Sequence, residues 1–352
     1  MLLLRVDPLR PEREAVRKAA RLLRRGGLVA FPTETVYGLG ADATNPAAVE
    51  RIFAAKGRPA DNPLIVHVAG VEEVVPLVEA IPPRAWRLTG YFWPGPLTLV
   101  FRRGSLIPPV VSAGLDTVAV RMPGHPVALA LIREAGVPVA APSANLSGRP
   151  SPTTAEHVLD DLEDKIDALI DAGPADIGVE STVLDVTVWP PVILRPGGIS
   201  REELEEVIGE VRLDPGALGE GLPGPGEEAV LPRSPGMKYT HYAPAARLIL
   251  VEGPPEKVVE AIQELADREK REGRRVGVLA TRETAGRYRA DVVRAPGSRG
   301  DAAGMAAGLY AALRFFDYRG VQVVLAEGVQ PEGLGLAVMN RLRRAASQVI
   351  HV

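Results

Sequence analysis

Apolar residues recur along the first half of the chain in short, β-branched runs separated by amphipathic stretches. LLLRV opens the chain as a strand, and Pro11 starts a helix whose apolar face runs through Leu23 before Gly26 or Gly27 ends it. LVAF (28–31) reads as a buried strand, and Asn45-Pro46 carries the cap chemistry of a helix start leading into AAVERIFAAK, with Lys56 at its end. Further strand-like runs follow at 63–68, 97–101, 117–121, 138–143, 167–173, 181–186 and 192–195. Several are joined by too few residues for a crossover helix, so the pattern predicts an α/β unit with a mixed sheet of about seven strands. From 208 to 245 both periods vanish in a stretch dense in Gly and Pro, improbable inside one compact domain. Beyond it, RLILVEG, a helix over roughly 255–272, RRVGVLA, ADVVRA, a helix over about 301–317, VQVVLAEG and a helix over 335–346 alternate as βαβ units. The predicted organisation is a domain over 1–207, a linker over 208–245 and a smaller Rossmann-like parallel α/β domain over 246–352.

Composition removes whole classes of chemistry. The 352 residues include no cysteine, which excludes disulfides, thiolate catalysis and zinc fingers, and the five histidines form no metal-binding spacing. A net charge of -3 supplies no global attraction to nucleic acid or anionic lipid, and no apolar run reaches the length of a membrane span. MLLLRV is too short for the core of a secretion signal, so a cytoplasmic location is expected. Positive charge rests almost entirely on arginine: there are six lysines and only four asparagines in the chain. Where such residues are scarce, those that remain at loop positions draw notice.

Three stretches combine scarce residues with strand ends. Lys56-Gly57-Arg58 closes a helix just ahead of a buried strand; an ammonium and a planar guanidinium two residues apart could clamp an oxyanion, or could simply favour a solvated helix C-terminus. FPTETVYGLG (31–40) crowds Thr33, Glu34, Thr35 and Tyr37 after an apolar strand, where α/β proteins place ligands, although an ordinary Gly-containing turn has similar composition. APSANLSGRPS (141–151) offers Ser143, Asn145, Ser147 and Ser151 in a short arc suited to phosphate oxygens. Arg121 and Arg195 end strands, Ser181 precedes one, and SPGMKYTHYAP (234–244) is aromatic and basic inside an otherwise bland linker. No G-x-x-x-x-G-K-[ST] loop occurs, so nucleotide binding would have to do without it.

KGRP at 56–59 with SAN at 143–145, together with FPTETVYGLG, NPLIVHV, SANLSG and VEST in order, resembles the YrdC-like family, and the SPGMKYTHYAP linker resembles its long, two-domain threonylcarbamoyl-AMP synthases. The resemblance implies an open twisted mixed sheet with flanking helices, plus the smaller C-terminal Rossmann-like domain. It implies that L-threonine, bicarbonate and ATP give threonylcarbamoyl-adenylate and pyrophosphate, with Mg²⁺ accompanying the ATP and no organic cofactor. The product would feed N6-threonylcarbamoylation of tRNA adenosine 37 by a separate transferase, so that tRNA is only an indirect partner. Lys56, Arg58, Ser143 and Asn145 would form the catalytic group, with Lys56 either neutralising charge or accepting a proton. Arg58, Asn62, Thr117, Ala141, Ser143, Ser151, Arg195 and Tyr239 would face ATP, and Thr35, His67, Arg121 and Ser181 would hold threonine. Lys238, Tyr239 and His241 would close over the site. A carbamoyltransferase of hydrogenase maturation shares a similar domain but carries cysteine-rich zinc fingers, which this chain lacks.

Overall fold

The computed structural model describes residues 1–218 and 242–352. In the first domain, eleven strands form one sheet in the order Leu2–Arg5, Ala168–Asp171, Val29–Phe31, Gly38–Asp42, Val139–Ala140, Ile65–His67, Thr117–Arg121, Leu97–Arg102, Thr182–Asp185, Val192–Arg195, Arg212–Leu213. Both parallel and antiparallel pairs occur along it, so the sheet is mixed, as the short connections require. The expected strand count was too low. Gly38–Asp42 was read as part of a Gly-rich ligand loop, yet its five residues are buried and pair with Val29–Phe31 on one side and Val139–Ala140 on the other.

The N-terminal end of the expected linker is also ordered. Arg212–Leu213 pairs with Val192 and Ile193, so the first sheet extends to 213, and the turn Pro215–Leu218 that follows is held by Asn340, Arg343 and Arg344 of the second domain. Composition misled here because an edge strand of two residues has no period to detect.

The second domain is a five-stranded, wholly parallel sheet in the order Val292–Arg294, Val276–Leu279, Val323–Glu327, Arg247–Glu252, Gln348–His351. Its helices Pro255–Arg271, Ala302–Tyr318 and Leu334–Ala345 fall within a residue or so of the expected spans.

The domains share a core. Val36, Val179 and Tyr242 pack in one apolar cluster with Leu309, Leu313 and Val338 of the second domain. Gly178, at φ +78°, makes this approach possible: a Cβ there would lie 2.4 Å from the Ala307 Cα on the helix Ala302–Tyr318.

Candidate active site

The helix Pro46–Lys56 sets the position of the lysine. The Asn45 side chain accepts from the Ala48 amide at its start, Pro46 occupies the first turn, and Gly57 ends it in the left-handed conformation at φ +59°. Lys56 therefore leaves the last turn pointing inward and is only 2% exposed. Its Nζ donates to the backbone oxygens of Ser143 and Asn145, both at 2.5 Å, with Asn145 Oδ1 at 3.5 Å. Ser143 Oγ in turn donates to Asn145 Oδ1 at 2.5 Å. Burial, reinforced by Arg58, pushes the Lys56 pKa well below its ordinary value, while the three surrounding oxygens favour the ammonium.

Strand register lines up most of the other groups. His67 pairs with Arg121, Arg121 with Thr98, Thr98 with Val183, and Val183 with Arg195, so one row of the sheet carries a histidine and two arginines. Residues in register across adjacent strands project to the same face. Over this row folds the segment 32–37, fixed by bonds from Ala144 N to Tyr37 O and from Leu39 N to Pro142 O, both 2.8 Å. Gly197 follows Arg195 so closely against the Glu180 carbonyl that a Cβ would sit 2.3 Å from it.

The result is a recess of about 600 Å³, counting the open space at its mouth, lined by Thr35, Arg58, His67, Arg121, Ala141, Ser143, Ser181 and Arg195, with Thr33, Glu180 and Tyr242 beside them. Arg121 Nη1 donates to Thr35 Oγ1 at 3.0 Å, Nη2 to Glu34 Oε1 at 2.6 Å and Nε to the Gly95 carbonyl at 3.2 Å. Ser181 Oγ lies 2.8 Å from Thr98 Oγ1 and accepts from Arg195 Nη2 at 3.3 Å. Arg58 is held by the Asn62 and Pro63 carbonyls at 3.2 and 3.0 Å, and burial lowers its pKa to about 10, still fully cationic at neutral pH. Burial and the neighbouring Arg121 charge push His67 down to about 3, so its imidazole is neutral at physiological pH.

Five of the expected residues are placed differently. Lys56 does not reach into the recess beside Arg58; its ammonium is consumed by the loop that carries Ser143, and Asn145 is buried behind the same loop. Thr117 stands four residues from Arg121 on the same strand, outside the lining. Ser151 is buried and donates to Glu180 Oε1 at 2.5 Å rather than facing the recess. Asn62 is fully buried next to Arg58, with neither pole of its amide hydrogen bonded among the described residues. Lys238, Tyr239 and His241 lie outside the described residues.

Sequence reading passed over Glu180 and Tyr242. Glu180 could have been suspected, since VEST puts a charge inside an apolar loop directly ahead of a strand. Tyr242 belongs to the linker motif singled out above, where Tyr239 was the tyrosine chosen. Their partners Tyr310 and Arg341 sit on second-domain helices and carry no local signal.

Residues 21–197 match the family model for Sua5, YciO and YrdC, described as telomere recombination, and residues 199–347 match that of the threonylcarbamoyl-AMP synthase C-terminal domain. The chain is 53% identical over 337 residues to the threonylcarbamoyl-AMP synthase of Pyrococcus abyssi, covering 96% of this chain and 95% of that protein. The chain belongs to the threonylcarbamoyl-AMP synthase family. The Bacillus subtilis threonylcarbamoyl-AMP synthase is likewise 53% identical, over 341 residues, 97% of this chain and 95% of that protein. The crystal structure of P. abyssi Sua5 complexed with L-threonine superposes with a TM-score of 0.93 at 51% identity, covering all of both chains. As a threonylcarbamoyl-AMP synthase by family, this protein is a nucleotidyl-transferring enzyme of tRNA processing that uses ATP and threonine.

Proposed function

We propose that the recess joins L-threonine, bicarbonate and ATP into threonylcarbamoyl-AMP with release of pyrophosphate, and that its residues divide into two sets. Thr35, His67, Arg121 and Ser181 take threonine, with Arg121 receiving the carboxylate. Arg58, Arg195 and Ser143 take the triphosphate. The observation carrying this division is the row His67, Arg121, Thr98, Val183, Arg195, which sets Arg121 and Arg195 three strands apart in one lined recess. Support comes from the full-length match to proteins named for this reaction.

Threonine's amine and bicarbonate give the carbamate with loss of water; a carbamate oxygen then attacks the α-phosphorus in line, and pyrophosphate leaves. Every participant is anionic as this proceeds, so the protein supplies position and positive charge rather than a covalent intermediate. His67, held neutral, offers a hydrogen bond without adding a proton to the amine that must remain nucleophilic. Lys56 acts from behind, holding the Ser143–Asn145 turn in the shape that presents Ser143. Mg²⁺ enters with the triphosphate as part of the substrate. The lining supplies guanidinium groups for phosphate, and among the described residues no three His, Asp or Glu side chains gather as a metal site. The product passes to a separate transferase acting on tRNA.

Pyrophosphate release from ATP tests the reading. It is expected only when threonine and bicarbonate are both present, and release independent of threonine would overturn it.

A further inference from the structure

Glu180 sets a problem that the first domain does not solve by itself. Its carboxylate stands in the lining of a recess that, on the reading above, receives a triphosphate, bicarbonate and an amino acid's carboxylate, and an uncompensated negative charge there repels all three. Its compensation comes from the other domain. Arg341, on the helix Leu334–Ala345, is 1% exposed and donates from Nε to Glu180 Oε2 at 2.8 Å. The same guanidinium donates from Nη1 to the Pro196 carbonyl and to Asn340 Oδ1, each at 2.8 Å, and lies over the Tyr242 ring at 5.2 Å. Tyr310 adds its hydroxyl to both Glu180 oxygens at 3.1 and 3.0 Å and stacks on Tyr242 at 5.5 Å between centroids.

The two first-domain targets of Arg341 belong to or adjoin the lining: Glu180 lines it directly ahead of Ser181, and Pro196 follows the lining residue Arg195. Arg195 itself donates to the Ser181 carbonyl at 3.0 Å. The geometry points to Arg341 as a positioning residue for the reaction: it draws the Glu180 carboxylate toward the second domain, leaving Arg195 for the substrate, so that the second domain completes the recess. This inference rests on the functional reading above.

Without Arg341, the cation that still acts on Glu180 is Arg195. A buried carboxylate that turns to Arg195 competes with phosphate for the same guanidinium. Burial alone would raise the Glu180 pKa; the charges of Arg341 and Arg195 and the Ser151 hydrogen bond overcome this and hold it at about 2. Removing Arg341 lets burial act, so acid should then neutralise Glu180 and relieve the competition. The other groups facing it are Tyr310 and Tyr242; Tyr310 is held protonated by burial, and Arg344, which acts on Arg341 and Tyr242, has its pKa lowered chiefly by burial.

The test uses the full chain: threonine-dependent pyrophosphate release and thermal melting for wild type, Arg341→Met, Glu180→Gln and the double variant, between pH 6 and 8.5. We expect Arg341→Met to raise KM for ATP at least tenfold while remaining folded. Its kcat/KM relative to wild type should climb as pH falls, and the double variant should recover most of the loss and show no such climb. Wild-type kinetics in folded Arg341→Met, or a double variant as impaired as the single one at every pH, would overturn the inference. Should Arg341→Met not fold, Arg341→Lys keeps the charge but loses the fork to Pro196 and Asn340. A several-fold fall in kcat/KM at unchanged melting temperature is then expected, and unchanged kinetics would overturn it. A wild-type protein without threonine-dependent release sinks the functional reading itself, and the inference with it.

Discussion

Lys56 Nζ lies 2.5 Å from the Ser143 carbonyl oxygen, joining the end of one helix to a loop 87 residues away. The signature lysine thus acts on the shape of the site, its protons committed to three oxygens of the Ser143–Asn145 turn. Replacing it with methionine takes the lysine donor from the Ser143 and Asn145 carbonyl oxygens, each costing about 1–3 kcal/mol when unpaired. Lys56→Met should therefore lose activity and at least about 2 kcal/mol of stability together, as urea unfolding would show. Undiminished stability in an inactive Lys56→Met would return the lysine to a direct role on the substrate.

Arg58 differs from its neighbour two residues earlier. It lines the recess, and among the described residues its hydrogen bonds go to the backbone carbonyls of 62 and 63, with Asp61 acting on it electrostatically. A charge-assisted contact to phosphate is worth about 1.5–3 kcal/mol, or roughly ten- to more than a hundredfold in affinity. Arg58→Ala should raise KM for ATP by that order with little change in melting temperature, and lysine should restore only part of it because it cannot fork. Titration of ATP in the pyrophosphate assay decides; an unaltered KM removes Arg58 from the triphosphate set.

How much of this was legible beforehand follows from what a period can report. The parallel second domain was read nearly residue by residue because its strands and helices are long and strictly alternating, although its last strand, Gln348–His351, is mostly exposed and went unnoticed. In the first domain the loops bearing Lys56, Arg58, Ser143 and Arg195 were visible as scarce polar residues at strand ends. The direction of the Lys56 side chain was not, since it depends on the left-handed turn at Gly57 and on a loop 87 residues on. Nor could any local pattern reveal that Glu180 meets its counter-charge at Arg341, 161 residues later.

Asn62 offers a prediction in which stability and function separate. Its amide is fully buried with both poles unpaired among the described residues, a costly arrangement that a binding role would justify. Asn62→Leu, near in volume, removes the orphaned poles, so the variant should be as stable as wild type or more so by up to about 2 kcal/mol. KM for ATP should rise at least several-fold, since the family resemblance places Asn62 against the nucleotide. A variant less stable than wild type with unchanged KM would assign Asn62 a purely structural role.

His67 gives the last prediction through linkage. Its pKa in the fold, about 3, lies below the ordinary value of 6.5, so between those limits the unfolded chain binds the proton and the folded chain does not. Stability from this group is complete above about pH 6.5 and declines as pH falls toward 3, by about 1.4 kcal/mol for each unit once below 6.5. His157, held at about 4 chiefly by burial and by Arg314, adds a second slope of the same sign. His67→Asn should flatten the decline seen in wild type between pH 6.5 and 5, measured by denaturant midpoints at each pH. The same histidine should leave no inflection near pH 6.5 in the wild-type kcat/KM profile, because it is neutral throughout. An inflection there that disappears in His67→Asn would mean that the imidazole titrates in the working enzyme.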